Sequence, residues 1–467
     1  MISSRTPAPD LPQPTVGTAT TTGAALDARR RRAALSSSTL RIAGTVALCA
    51  IVAAVFLLVA GCASAPSVYV PGRSGGWPHW MAGPLEGLHI GISPLRFELL
   101  TTLMGAGYLL ALGCARHLSM AALAVAIVAA HIILLLGPPL ISQDVFGYLA
   151  FARMGVLHGL NPYSAVAAQM PGDPILPFIG WPHKHTPYGP LFTLVSYGAA
   201  PLGLGGGLWA LKALSVAASL GAVALVARAA RAAGRSARVA AAFVGLNPVL
   251  LQLAVGGAHN DTLILLALSA ALVLSAGAAP RWRSAAVTLA MGVGVKLSGG
   301  LALPFLALAP RRASERLRVA GAAALALGAL AVVGALAFGS HAFAFVGELG
   351  EQQRMVAAHS IPAETARLLG LHGTPSWWRH LFAALFFVAL AYALWRTARG
   401  ADWRTAAGWA TLALLMCTAW LLPWYAIWPL PLAALSSDRR LRVATLGFCA
   451  YALLIHLQLT EPLLGPY

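Results

Sequence analysis

The chain has 467 residues, of which 58% are hydrophobic and only 10% charged, and its mean hydropathy is +0.75. That balance excludes a water-soluble globular domain and points to a protein that crosses the membrane many times. A formal net charge of +18 would suggest nucleic acid in a soluble protein, but here the Arg residues fall in the gaps between apolar runs, so no nucleic-acid partner is expected.

Residues 1–40 are rich in Ser, Thr, Pro and Ala and carry Arg29 to Arg32, which reads as a disordered cytoplasmic tail. From residue 41 to 467 the chain reads as one transmembrane domain. Apolar runs close to the span of a bilayer follow at Ile42–Gly61, Phe97–Ala115, Ser119–Gly137, Gly207–Ala227, Val239–Ala258, Thr262–Ala279, Val319–Phe338, Leu381–Trp395, Thr405–Leu422 and Val443–Leu459. Three more, Tyr188–Gly206, Ser284–Ala309 and Trp424–Leu435, are short or broken by Gly and Pro. The expected class is therefore an all-α polytopic membrane protein of roughly 11–13 transmembrane or re-entrant helices.

Basic residues cluster at Arg29–Arg32 with Arg41, at Arg116, and at Arg228–Arg238, Arg281–Arg283, Arg311–Arg318, Arg396–Arg404 and Arg439–Arg442. Assigning all of these to the cytoplasm leaves two long loops, 138–187 and 339–380, on the outer face. Between the first loop and Arg228 the number of crossings must be odd, so Tyr188–Gly206 is expected to be interfacial or re-entrant. Ser284–Ala309 has basic residues at both ends; it either dips in as two half-helices meeting near Lys296 or breaks the charge rule.

Five cysteines stand without CxxC spacing, which argues against a disulfide framework and a zinc site, and no GxxxxGK[ST] loop is present. Chemistry is instead expected at two carboxylates beside apolar runs, Asp144 in Ser142-Gln143-Asp144-Val145 and Asp261 in His259-Asn260-Asp261-Thr262. An acid at bilayer depth costs about 2.5–3.5 kcal/mol on insertion scales, so its retention suggests a task. Both acids fall on the outer face in this topology. The stretch from Asp144 to Arg153 is expected to lie along the membrane surface. Asn161, Tyr163, His183, Lys184, His185 and Tyr188 follow in turn-rich, aromatic sequence suited to phosphate or sugar.

Six segments in order carry a family resemblance: QDVFGY (143–148), HGLNPY (158–163), TPYGPLF (186–192), GGAHNDTL (256–263), GVKLSGGLALPF (294–305) and LLPWYAIWPLP (421–431). Together they resemble the actinobacterial α-1,6-mannosyltransferases of lipomannan synthesis that use polyprenyl-phosphate mannose. The resemblance implies the multi-span GT-C glycosyltransferase fold in a bacterial plasma membrane, with a catalytic acid in the first outer loop. It implies a lipid-phosphate donor and a lipid-linked mannan or phosphatidylinositol-mannoside-type glycolipid acceptor. Gln143 stands where many GT-C enzymes carry a second carboxylate, so no metal is expected and no cofactor is required.

Transfer from a lipid phosphate needs a base for the acceptor hydroxyl, a cation for the leaving phosphate and a dry site. Asp144 is read as the base. Lys296, one of three lysines, leads as phosphate partner, followed by Lys184, His183, His185 and Arg354. Asp261, His259, Asn260 and Trp424 are read as substrate-binding. Blander readings stand beside these: Asp144 capping a helix or pairing with Arg153, Asp261 as a helix cap, Lys296 snorkelling, and Trp420, Trp424, Tyr425 and Trp428 as an interfacial belt. His131 is read as a hydrogen-bonded core histidine and Lys212 as lying near an interface. The rival function is a secondary transporter or flippase of lipid-linked sugars.

Overall fold

The structure, a computed structural model, describes residues 19–64, 78–352 and 354–455, and every regular element among them is helical. The first helix, α1 (Ala19–Ser64), begins inside the segment expected to be a disordered tail; residues 1–18 lie outside the described residues. After the single turn α2 (His79–Ala82) comes α3 (Pro94–Cys114), started by Ser93, whose hydroxyl accepts the Arg96 N–H, with Pro94 in the first turn. Ser119 begins α4 (Met120–Leu135) by accepting the Ala122 N–H.

The first long loop holds α5 (Asp144–Leu157) and leads through the eight-residue α6 (Pro190–Tyr197) into α7 (Gly203–Ala232). Then α8 (Ala237–Gly245) joins a π-helical turn, Val249–Val255, across a 46° bend at Asn247-Pro248. The chain continues through α9 (Asp261–Leu274), α10 (Trp282–Val295), α11 (Leu303–Leu308) and α12 (Ala313–Phe338). The second long loop contains α13 (Ala344–Gln352) and α14 (Ile361–Leu368), and α15 (Ser376–Ala398), α16 (Trp403–Cys417), α17 (Leu430–Leu435) and α18 (Arg439–Leu454) complete the fold.

Among the described residues five helical stretches are long and apolar enough to cross a membrane, and the bent pair α8 and its π turn makes a sixth. The shorter apolar helices α4 and α9 and the segment Leu297–Leu308 add to these. Large apolar side chains on α12 and α15, such as Leu325, Leu336, Phe387 and Val388, point outward. That is the pattern of a surface solvated by lipid. The protein is an all-α polytopic membrane protein.

The two ends of the bundle differ in chemistry. At one end Arg238 donates to the Leu118 carbonyl, Arg235 and Arg442 both donate to the Ser436 carbonyl, and Arg316 donates to the Ala398 carbonyl. Thr405 bonds Ser436 side chain to side chain at 2.6 Å, so five separate basic gaps meet there. Helix α9 starts at Asp261 and runs away from the acids for 14 residues, roughly 20 Å at 1.5 Å per residue, before Arg281. Helix α10 then returns and stops at Lys296, whose backbone is extended (φ −158°, ψ 141°). The following turn folds back on α10: a Cβ on Gly299 would come within 2.5 Å of the Gly292 carbonyl oxygen. The broken apolar run thus has its break at Lys296.

One expectation changes. The α5 segment is not a surface helix, because Val145, Phe146, Tyr148, Leu149 and Met154 are all buried in one apolar cluster with Phe178, Phe192 and Leu211. Lys212 is fully buried, and its Nζ donates to the carbonyls of Leu134, at 3.0 Å, and of Gly137, closing the C-terminal end of α4. His131 is a core histidine as read, bonded at 2.8 Å to both the Ile127 carbonyl and the Ser219 hydroxyl.

Candidate active site

The six sequence segments converge on one end of the bundle. Leu140 donates to the Gly256 carbonyl at 2.9 Å, tying the Asp144 loop to the His259-Asn260-Asp261 turn. Gly189 donates to the Val295 carbonyl, and a Cβ there would sit 2.4 Å from the Gly294 oxygen, so the turn before α6 rests directly on the end of α10. This contact fixes the backbone immediately before Lys296.

Both acid loops are preceded by a left-handed non-glycine residue, Ile141 (φ 63°) and Ala258 (φ 55°). Such backbone costs on the order of 1–3 kcal/mol each and persists only where the surroundings determine it. Asp144 is the first residue of α5, where the helix dipole favours a carboxylate, and its side chain is 20% exposed. Arg153 does not pair with it. That guanidinium instead grips Asp173 through Nε and Nη2 at 2.9–3.1 Å, with His158 Nε2 at 2.7 Å from the same carboxylate. Burial alone would push the Asp173 carboxyl up, but the Arg153, Ile175 N–H and His158 hydrogen bonds outweigh it and hold it below the ordinary carboxylate range.

Asp144 Oδ2 lies 3.3 Å from His259 Nδ1, without the alignment of a hydrogen bond. The His259 ring is fully buried and stacks on Trp424, with centroids 3.7 Å apart and planes 20° from parallel. Both His259 nitrogens, Asn260 Nδ2 and Trp424 Nε1 are buried without a protein partner. Unpaired groups of this kind each cost about 1–3 kcal/mol, so their concentration beside one carboxylate marks a place kept for binding rather than for packing.

Asp261 follows the cap position, which Asn260 occupies, and its carboxylate does other work than capping. It accepts from Trp428 Nε1 at 2.8 Å and from Lys296 Nζ at 3.2 and 3.3 Å. The Lys296 ammonium also lies over the Tyr425 ring, 4.3 Å from its centroid, and 5.7 Å from that of Trp428. Lys296 is therefore clamped rather than snorkelling. Trp424, Tyr425 and Trp428 are buried in the protein rather than set in an interfacial belt, with Tyr425 and Trp428 lining the space at Lys296 and Trp424 stacked on His259 behind it.

Two openings meet at Lys296. One is a cavity of ≈ 820 Å³ walled by Asp144, Gln143, Tyr188, Lys184, His185 and Trp181 among others. The other is a mainly apolar groove of ≈ 1320 Å³ between Leu297, Leu301, Phe345, Phe386, Leu390, Leu414 and Leu415. Pro187, Lys296, Trp420 and Tyr425 line both. At the mouth Lys184 pairs with Glu351 at 2.7 Å, joining the two long loops, and Trp181 meets Trp420 edge-on at 6.1 Å.

Of the residues singled out from sequence, Asp144, His259, Asp261, Lys296, Lys184, His185, Tyr188 and Trp424 come together here. Asn260 lies behind the wall, its Oδ1 3.4 Å from the Tyr148 hydroxyl. Asn161 and Tyr163 stay outside the cavity: Asn161 donates to the Phe338 carbonyl at 2.8 Å, and Tyr163 donates to the Tyr188 carbonyl at 2.9 Å, bracing the loops. His183 is exposed, and Arg354 opens onto a separate cavity with Arg379 and His380. Trp428 and Tyr425 were not separated from a general aromatic belt in the sequence. Trp424 and Trp428 at i and i+4 would share one face of a helical turn, which was the available signal.

Residues 41–312 match the family model described as the α-(1→6)-mannopyranosyltransferase N-terminal domain, and residues 364–461 match the MptB C-terminal domain. The chain belongs to the α-(1→6)-mannopyranosyltransferase family. It is 28% identical over 357 residues to the α-(1→6)-mannopyranosyltransferase A of Mycobacterium tuberculosis, covering 69% of this chain and 67% of that protein. The protein of the same name from Corynebacterium glutamicum is 29% identical over 181 residues, 37% of this chain and 36% of its own length. A probable α-(1→6)-mannopyranosyltransferase from Mycolicibacterium smegmatis is 33% identical over 140 residues, 28% and 25% of the two chains. No solved structure matches. Family membership makes the protein a mannosyltransferase and sets aside the transporter reading.

Proposed function

We propose that this mannosyltransferase moves mannose from polyprenyl-phosphate mannose to a lipid-linked α-1,6-mannan or phosphatidylinositol-mannoside-type acceptor on the extracytoplasmic face. The observation that carries the proposal is the meeting, at the one ammonium of Lys296, of a cavity carrying Asp144, Lys184, His185 and Glu351 and an apolar groove. A lipid phosphate sugar has that polarity: an isoprenoid tail suited to the groove, a phosphate suited to Lys296, and a mannose suited to the cavity beside Asp144.

In this reading Asp144 takes the proton of the acceptor hydroxyl as its oxygen attacks C1 of the mannose. The C1–O bond to phosphate breaks in the same step, and polyprenyl phosphate leaves with the electron pair, its added charge met by Lys296. A single displacement on a β-linked donor inverts the centre and gives an α product. Asp261 and Trp428 hold the ammonium at the groove mouth, and the Trp424–His259 stack backs the Asp144 carboxylate.

The test is transfer by purified protein from polyprenyl-phosphate mannose to defined mannosides, with linkage analysis of the product. An α-1,6-linked product with no transfer from nucleotide-mannose is expected. Transfer from nucleotide-mannose, or a β-linked product, would overturn the donor or the inverting step.

A further inference from the structure

We propose that His259 is a positioning residue for the base, donating from Nδ1 to Asp144 Oδ2 so that Oδ1 stays aimed at the acceptor hydroxyl. The inference rests on the reading of Asp144 as base. Asp144 lines the ≈ 820 Å³ cavity, whereas His259 is fully buried and is not among the residues that wall it, so the ring acts on substrate only through the carboxylate. Its Nδ1, 3.3 Å from Oδ2, is the one ion-pair partner of Asp144 among the described residues. The lysines and the arginine nearby are engaged elsewhere: Lys296 with Asp261, Lys184 with Glu351 and Arg153 with Asp173.

The residue is held from several directions while its ring nitrogens are left without partners. Trp424 covers one face of the ring, and at its edge a Cβ added to Gly257 would come within 2.6 Å of Nε2, so only glycine fits there. The His259 carbonyl accepts from Thr262 Oγ1 at 3.0 Å and from Ser215 Oγ at 3.4 Å, and its N–H donates to the Ala254 carbonyl at 2.8 Å, in the π-helical turn. A side chain kept only for packing would be apolar here, because both nitrogens are buried without a protein hydrogen bond. Neutral imidazole has one N–H to give, and placing it on Nδ1 turns the near contact into a donor for Asp144 after a small rotation of the carboxylate. Catalytic hydrogen bonds are often loose and tighten as the reacting complex forms. The acceptor proton then goes to Asp144 Oδ1, and His259 neither gains nor loses one.

The test is steady-state transfer from polyprenyl-phosphate mannose to a defined α-mannoside by the full-length protein, with thermal unfolding of each variant. His259→Phe keeps a ring on Trp424 and removes both unpartnered nitrogens, so it should unfold at the same temperature or higher. Its kcat should nevertheless fall about 10–100-fold, the effect of a misaimed base, with both KM values within about twofold. His259→Asn, whose amide N–H falls near Nδ1, should recover most of that loss, and His259→Gln, which reaches toward Nε2 instead, should not. In single turnovers His259→Phe should lower the rate little further in the Asp144→Asn background, because both changes act through one carboxylate. A kcat within about threefold of the natural protein, a raised KM with kcat intact, or a full further loss in the Asp144→Asn background would overturn the proposal. So would equal rates in His259→Asn and His259→Gln, which decide the matter if His259→Phe fails to fold. A silent His259 beside an inactive Asp144→Asn sinks this inference alone, whereas a near-natural rate in Asp144→Asn sinks the base reading with it.

Discussion

Asp144→Asn is the substitution on which the proposed chemistry turns. The side chain keeps its shape, stays 20% exposed, and loses one capacity above all, acceptance of a proton near neutral pH. A positioned base contributes roughly 10²–10⁴-fold, and at 1.36 kcal/mol per tenfold this is about 2.7–5.4 kcal/mol of barrier. The structural loss is smaller. A carboxylate in the first turn of α5 is worth roughly 0.3–1 kcal/mol against the helix dipole, and Arg153 is already committed to Asp173. The variant should therefore express and bind donor much as the natural protein does while its turnover falls by at least about a hundredfold. Radiolabelled mannose transfer, with parallel binding of the lipid donor and a thermal unfolding scan, separates these effects. Turnover within a few-fold of the natural protein, with donor bound normally, would remove Asp144 from the base role.

Lys296→Gln should lower turnover roughly 10²–10³-fold, as expected for losing a donor aimed at developing charge. Because it strands the Asp261 carboxylate, Lys296→Gln/Asp261→Asn should recover stability in an unfolding scan without recovering transfer. The Asp173 carboxyl has a folded pKa below its unfolded value of about 3.9, so its stabilisation is complete above that value and is lost as pH falls through the folded one. Asp173→Asn should accordingly flatten the acid limb of loop protection measured by hydrogen exchange. Asp261 is engaged by Lys296 and Trp428, leaving Asp144 without a second free carboxylate, so EDTA should leave the transfer rate nearly unchanged. Ser164, in the first long loop, and Ser314, in the first turn of α12, are both exposed. With native cysteines removed, Ser164→Cys should react with an impermeant thiol reagent in intact cells and Ser314→Cys only after the membrane is opened.

Hydropathy made the helical class legible because lipid forces every spanning backbone to satisfy itself, and Gly and Pro marked the broken segments. The break at Lys296 was readable for that reason, since a lone lysine between basic gaps cannot sit in an unbroken apolar helix without a partner. The partner was not readable. Asp261 lies 35 residues away in sequence, and Trp428 lies 167 from Asp261, so only packing brings them to one point. For α5 the sequence misled, because a helix lying on a surface and one packed into the bundle can carry the same mixture of apolar and polar residues. Asn161 and Tyr163 have the polar and aromatic character of sugar-binding residues, yet their hydrogen bonds go to the Phe338 and Tyr188 carbonyls, a distinction composition does not encode.

The left-handed backbone at Ile141 and Ala258 fits this division between local and long-range causes. Neither residue favours that conformation, and Ile, being β-branched, resists it most. What holds the two is the bond from Leu140 to the Gly256 carbonyl, with Tyr148 braced against Asn260 behind it. The same pairing of loops brings Asp144 to within 3.3 Å of His259 and aims Asp261 at Lys296. Relaxing either residue to an ordinary turn would move an acid away from the ammonium or the ring it faces. The strain is thus the local counterpart of an arrangement set by tertiary contacts, and it lies one to three residues before each motif's polar group, where a small change in φ has the largest lever on the carboxylate.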